Sequence, residues 1–92
     1  MFYVIAFDIS DNRARYRATK VLKGVGTRVQ KSVFECANIN EQGLLKIQAK
    51  LEEIIDHSSD SVRCYRICRG CIQEVEWLGV GAPPRDSVFT VV

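Results

Sequence analysis

Long apolar runs are missing from this 92-residue chain. Nothing in it approaches the roughly 18 consecutive apolar residues of a membrane span. The opening MFYVIAFDIS also lacks the basic leader and small-residue cleavage site of a signal peptide. The expectation is a cytoplasmic protein with no membrane partner. Proline is scarce, its two copies adjacent in GAPP, where they break the chain before a last short run, SVFTVV. Histidine occurs once, as His57 in the turn-like DHSSD, so the chain offers no strong general base. Linkers, repeats and low-complexity segments are absent, and no pair of C-x-x-C motifs builds a zinc framework. Zinc could still be drawn from CYRICRGC with Cys36 as fourth ligand, but Cys64 and Cys68 lie in a strand-like stretch. Reduced, buried thiols acting as small apolar residues are the preferred reading.

What is present is the composition of an ordinary globular domain, 47% apolar and 26% charged. One domain over residues 1–92 is expected, burying about 60–65% of its unfolded surface. A domain this small gains from covering any bare face with a second copy.

Charge is unevenly placed. Residues 9–34 hold seven bases (Arg13, Arg15, Arg17, Lys20, Lys23, Arg28 and Lys31) and one acid, Asp11, a balance of +6. The remaining residues balance at −4, giving the overall +2. A solvated helix face normally intersperses acids. Their absence here marks a surface for a polyanion, and a nucleic-acid backbone is the natural partner.

Residues 2–8, aromatic and β-branched, suit a buried first strand. Ser10 or Asp11 can cap a helix over about 12–23, with Ala14, Ala18, Val21 and Leu22 as its apolar stripe and the bases on the remaining arc. TRVQKSVFEC, residues 27–36, reads as a second strand with imperfect alternation: Val29 and Val33 fall on one face, Phe34 and Cys36 on the other. Asn40 caps a second helix over about 41–56, carrying Leu44, Ile47, Leu51, Ile54 and Ile55 on one side. SVRCYRIC is a strand, and CIQEVEWLG another. The plan is β-α-β-(β)-α-β followed by an extra terminal strand or two, and two helices on one face of an antiparallel sheet make this an α+β, ferredoxin-like β-α-β-β-α-β sandwich with an extra C-terminal strand. Its bare sheet face implies a homodimer. Residues of about 80–92 form an extension whose Val88 and Phe89 would add a strand to the partner, removing an aggregation-prone edge. Trp77, beside Val75 and Leu78, reads as an interface residue, and Tyr16 on the basic helix as a candidate to stack a base.

Asp8 stops the first strand, and two readings stay open. It can serve the turn or cap the next helix. Alternatively, two copies meeting across a dimer axis, near the arginines, would suffice for Mg²⁺, which uses one or two carboxylates plus waters and phosphates. Without metal the paired carboxylates would repel, so metal binding should strengthen as pH rises.

YVIAFDIS, the Arg-rich helix after it, GTRVQKSVFEC, DSVRCYRIC and the late LGVG resemble, in order and spacing, the CRISPR-associated protein two family, the small subunit of spacer acquisition. The resemblance implies a homodimer with facing aspartates, here Asp8, and a Mg²⁺-dependent endonuclease cutting single-stranded RNA or double-stranded DNA. It also implies an alternative: a non-catalytic scaffold bridging dimers of the integrase subunit, CRISPR-associated protein one. Family arginines carry over to Arg15, Arg17 and Arg28, and an aromatic to Phe34. Position 7, often Tyr in the family, is Phe7 here. In the enzyme reading Asp8 is catalytic residue and metal ligand, with one Mg²⁺ shared by the two copies. Arg13, Arg15, Arg17, Lys20, Arg28 and Lys31 would hold the backbone, and Phe34, Trp77, Val88 and Phe89 would serve structure and interface. An RNA-recognition module shares the sandwich, but KSVFEC lacks the Gly and spaced aromatics of its motif. A related small-dimer toxin ribonuclease has a similar core, and the sequence blocks above favour the CRISPR family.

Overall fold

The computed structural model describes residues 1–81, so Val88, Phe89 and the expected terminal strand lie outside the described residues. Seven elements follow in order: β1 (Phe2–Asp8), α1 (Asn12–Lys23), β2 (Thr27–Gln30), β3 (Val33–Cys36), α2 (Glu41–Ile54), β4 (Ser61–Ile67) and α3 (Arg69–Gln73). The four strands make one sheet in the order β2-β3-β1-β4, every neighbour antiparallel. The result is a small mixed α+β domain.

Strand alternation builds the core. Tyr3, Ile5 and Phe7 point from β1 toward the helices, beside Phe34 and Cys36 of β3, and Ala18 and Leu22 of α1 with Ile47 and Leu51 of α2 close over them. Phe34, Ile5, Leu22 and Leu51 are fully buried, each contributing about 1.5–3 kcal/mol of transfer free energy. The opposite parity leaves Val4, Ala6, Val33 and Glu35 half-buried on a face to which neither α1 nor α2 contributes core residues.

Both long helices start at the expected caps. Asp11 accepts the Ala14 N–H at 2.9 Å, and Asn40 accepts the Gly43 N–H at 2.7 Å. Lys20 and Lys23 complement the C-terminal dipole of α1.

Three expectations are corrected. Residues 27–36 are a hairpin, not one strand: β2 and β3 turn at Lys31 and Ser32, with a register shift between Arg28 and Gln30. The Arg28 side chain ties the turn by donating through Nε and Nη2 to the Lys31 carbonyl at 3.1 and 2.8 Å. The bulge explains the imperfect alternation, because it puts Val29 out of phase with Phe34 and Cys36. CIQEVEWLG is not a strand: α3 ends at Gln73, and residues 75–78 carry no regular structure. Cys68 supplies an N-cap there, its sulfur accepting the Cys71 N–H at 3.4 Å. Finally, the thiols are not uniformly buried. Cys36 is buried and Cys64 half-buried, but Cys68 and Cys71 are exposed because they straddle the start of α3 rather than lying in β4.

Candidate nucleic-acid interface

Where β1 ends, α1 and the β2–β3 turn diverge and leave a cleft of about 600 Å³, lined by Phe7, Asp8, Ile9, Arg15, Tyr16, Thr19, Lys23, Arg28, Lys31 and Ser32. Each wall follows from local sequence. Arg15, Thr19 and Lys23 recur every four residues along one stripe of α1. Arg28 and Lys31 are brought in by the hairpin, and Phe7 forms the floor, its ring stacked on Phe34 at 6.3 Å and 21°. Asp8 stands exposed as the last residue of β1.

Four cations thus share the cleft with one carboxylate, and none of them forms an ion pair with an acid among the described residues. Two of the four are tied to the backbone. Arg15 Nη1 donates to the Ile9 and Ser10 carbonyls at 3.1 and 3.2 Å, which fixes the β1–α1 loop that carries the chain away from Asp8. Arg28 holds the hairpin turn as described. Their positive charge remains while part of each guanidinium is spent on geometry. Lys23 and Lys31 line the cleft without side-chain bonds of this kind among the described residues. Tyr16 is 65% exposed, with Lys20 Nζ 5.8 Å from its ring centroid, a cation–π contact that keeps the ring at the surface.

The expected basic surface is therefore divided. Arg15, Arg28 and Lys31 join Asp8. Arg17 and Lys20 instead line a second, smaller groove of about 290 Å³ against Lys50 and Glu53 of α2. Arg13 is exposed on α1 and lines neither. Lys23 and Lys50 were absent from the expected contacts, and the four-residue step from Arg15 through Thr19 was the available signal for Lys23. Phe34 is a core residue, and Trp77 is 48% exposed on this chain. His57 lies in the α2–β4 loop with Nε2 3.9 Å from Glu52, outside the Asp8 cleft.

A second carboxylate, Asp60, closes the turn-like DHSSD. Its oxygens accept from the Ser10 N–H at 3.1 Å, the Ser10 hydroxyl at 3.0 Å, the Ser59 hydroxyl at 3.0 Å and the Asp56 N–H at 2.9 Å. The Asp56 and then the Ser10 backbone N–H hold its pKa down at about 2. Asp60 thereby pins the loop after β1 to the loop before β4. No sequence-local signal links residues 50 positions apart.

As for a metal, no group of three or more His, Cys, Asp or Glu is gathered among the described residues. Asp8 alone offers one exposed carboxylate, so a single chain supplies half of a two-carboxylate Mg²⁺ site at most.

This geometry can be set beside known proteins. Residues 1–75 match the family model described as CRISPR associated protein Cas2. The chain belongs to the Cas2 family. The Chloroflexus aurantiacus protein named CRISPR-associated endoribonuclease Cas2 1 is 40% identical over 88 residues, 95% of this chain and 94% of its own. The crystal structure of Streptococcus pyogenes Cas2 at pH 6.5 superposes with a TM-score of 0.78 at 30% identity, covering 86% of this chain and all of that one. A chain from a structure described as a partial Cas6-RT-Cas1-Cas2 complex superposes with a TM-score of 0.71 at 26% identity, covering 84% and 89%. The Cas2 match takes in all four strands, both long helices and the whole Asp8 cleft.

Proposed function

We propose that this Cas2-family chain acts in spacer acquisition as a cytoplasmic homodimeric, Mg²⁺-dependent endonuclease on single-stranded RNA or double-stranded DNA. The observation that carries the reading is Asp8, a carboxylate with no hydrogen-bond or ion-pair partner among the described residues, in a cleft lined by Arg15, Lys23, Arg28 and Lys31. Strand order supports a ferredoxin-like assignment, and the half-buried face of Val4, Ala6 and Val33 gives a second copy an apolar patch to cover. The name of the Chloroflexus relative supports the nuclease.

The roles follow from charge and placement. The two Asp8 carboxylates would hold the metal, with the remaining ligands coming from water and substrate phosphate. Bound there, Mg²⁺ would supply Lewis-acid stabilisation of phosphate charge and a lowered pKa for water. Lys23 and Lys31 neutralise flanking phosphates, Arg15 and Arg28 hold the cleft's shape while adding charge, and Tyr16 offers a face for a base. No contact of this kind reads base edges, so recognition is independent of sequence.

A second reading has its own support. Arg15 and Arg28 already spend donors on backbone carbonyls, as suits a rigid binding surface, and one structural neighbour comes from a complex containing Cas1. In that reading the dimer bridges integrase subunits and holds DNA without cutting it. Labelled single-stranded RNA and double-stranded DNA, incubated with wild type and Asp8→Ala in Mg²⁺ and in chelator, separate the two. Metal-dependent cutting by wild type alone supports the nuclease. Absence of cutting by either, with DNA still bound, leaves the scaffold.

A further inference from the structure

The cysteines divide into two pairs by environment. Cys36 and Cys64 project toward the helices from β3 and β4, and burial first, then the neighbouring Cys64, pushes the Cys36 thiol up to about 11. Cys68 and Cys71 stand exposed where β4 ends and α3 begins. Their three-residue offset spans the first turn of α3, which lays one side chain over the other. Cys68 Sγ accepts the Cys71 N–H at 3.4 Å. Between them Gly70 adds no cover, since a Cβ there would meet nothing within 4 Å.

We propose that Cys68 and Cys71 are a reversible redox dithiol, with Cys68 the attacking sulfur and Cys71 the resolving one, whose oxidant is a small disulfide of the glutathione class. The geometry assigns the roles. The Cys71 backbone N–H donates to Cys68 Sγ and is the chief influence holding its thiol below the ordinary range. Cys71 is held above that range by the neighbouring Cys68 side chain and its charge. Ionised Cys68 attacks one sulfur of the small disulfide, forming a mixed disulfide and releasing one small thiolate, which takes a proton from water. Cys71 then loses its proton to solvent, and its sulfur displaces the second small thiolate from Cys68. Two protein thiols and one small disulfide become one intrachain disulfide and two small thiols, with two electrons passing to the oxidant. Among the described residues no third metal ligand is gathered here, and Cys36 is held in the core. Closing the ring replaces the cap of α3 and fixes how the chain leaves β4, an edge strand of the sheet among the described residues. The inference stands whether the protein is a nuclease or a scaffold.

The test uses the full chain in defined mixtures of reduced and oxidised glutathione, quenched with N-ethylmaleimide and digested with trypsin. Cleavage after Arg69 separates the two cysteines, so the disulfide appears as a linked peptide pair. Wild type is expected to lose two alkylatable thiols and give the Cys68–Cys71 pair, reversed by dithiothreitol. Cys71→Ser should retain one glutathione on Cys68, and Cys68→Ser should leave Cys71 mostly open to alkylation, with circular dichroism unchanged in both. Equal glutathione uptake by the two variants overturns the proposal. So does a disulfide that involves Cys36, Cys64 or a second chain, or the absence of any disulfide at the most oxidising ratio.

Discussion

Two carboxylates stand at neighbouring strand ends in this fold and are treated in opposite ways. Asp8 closes β1 and pairs in register with Ser61, the first residue of β4, and Asp60 is the residue just before it. Asp60 accepts four hydrogen bonds that tie two loops together. Asp8 forms no side-chain hydrogen bond or ion pair among the described residues, although four cations line its cleft. A carboxylate whose lone pairs are filled by backbone donors is part of the scaffold. One left open on a rigid strand beside unneutralised cations is available to a ligand. The same division runs through the bases, with Arg15 and Arg28 partly committed to carbonyls and Lys23 and Lys31 uncommitted among the described residues.

The rigidity of the scaffold can be attacked first, where the largest loss of stability is expected. Gly26 packs so closely on β3 that a Cβ would lie 2.7 Å from both Cys36 Sγ and the Glu35 carbonyl. Gly26→Ala should therefore cost about 1–3 kcal/mol in denaturant unfolding, because neither neighbour is a flexible side-chain tip.

Asp60 comes next. Its pKa is depressed in the folded state, so its contribution is fully present above the unfolded value of about 3.9 and is lost as pH falls toward about 2. Asp60→Ala should lower Tm by several degrees at pH 7, with the gap to wild type closing between those pH values. A pH-independent gap would mean that the hydrogen bonds are not its source.

Binding sharpens the comparison among bases. Lys23→Ala and Lys31→Ala should each reduce the slope of log affinity against log salt by about 0.9 on duplex DNA. Lys46→Ala, exposed on α2 outside both grooves, should leave it unchanged.

The smallest effect concerns Glu35, half-buried opposite Val4 on the sheet face turned away from α1 and α2. Burial raises its pKa, so ionisation opposes folding above the folded value and the penalty disappears below the unfolded pKa of about 4.3. Glu35→Gln should raise Tm slightly at neutral pH and not at all below that value.

Much of this arrangement could be read from the chain. β1, α1, α2 and β4 announce themselves by alternation, helical stripes and the Asp11 and Asn40 caps, and Asp8 is visible as the acid that stops an apolar run. The hairpin was hidden because Lys31-Ser32 carries none of the Gly or Asn of a tight turn, and a side chain, Arg28, does the work of holding it. α3 was hidden by a cysteine in the cap position that Ser or Asp usually takes. Which bases share the cleft with Asp8, and which turn toward α2, depends on how α1 sits on the sheet. Charge counting along the chain does not hold that information.

The most direct test measures thermal unfolding and metal-dependent cleavage together for Asp8→Asn and Asp60→Asn. Asp8→Asn should keep the wild-type Tm and lose cleavage by about two orders of magnitude or more. Asp60→Asn should lower Tm and cut at the wild-type rate at temperatures where it stays folded. Cleavage by Asp8→Asn at the wild-type rate, or a fall in its Tm as large as that of Asp60→Asn, would contradict the assignment of Asp8 to chemistry and Asp60 to structure.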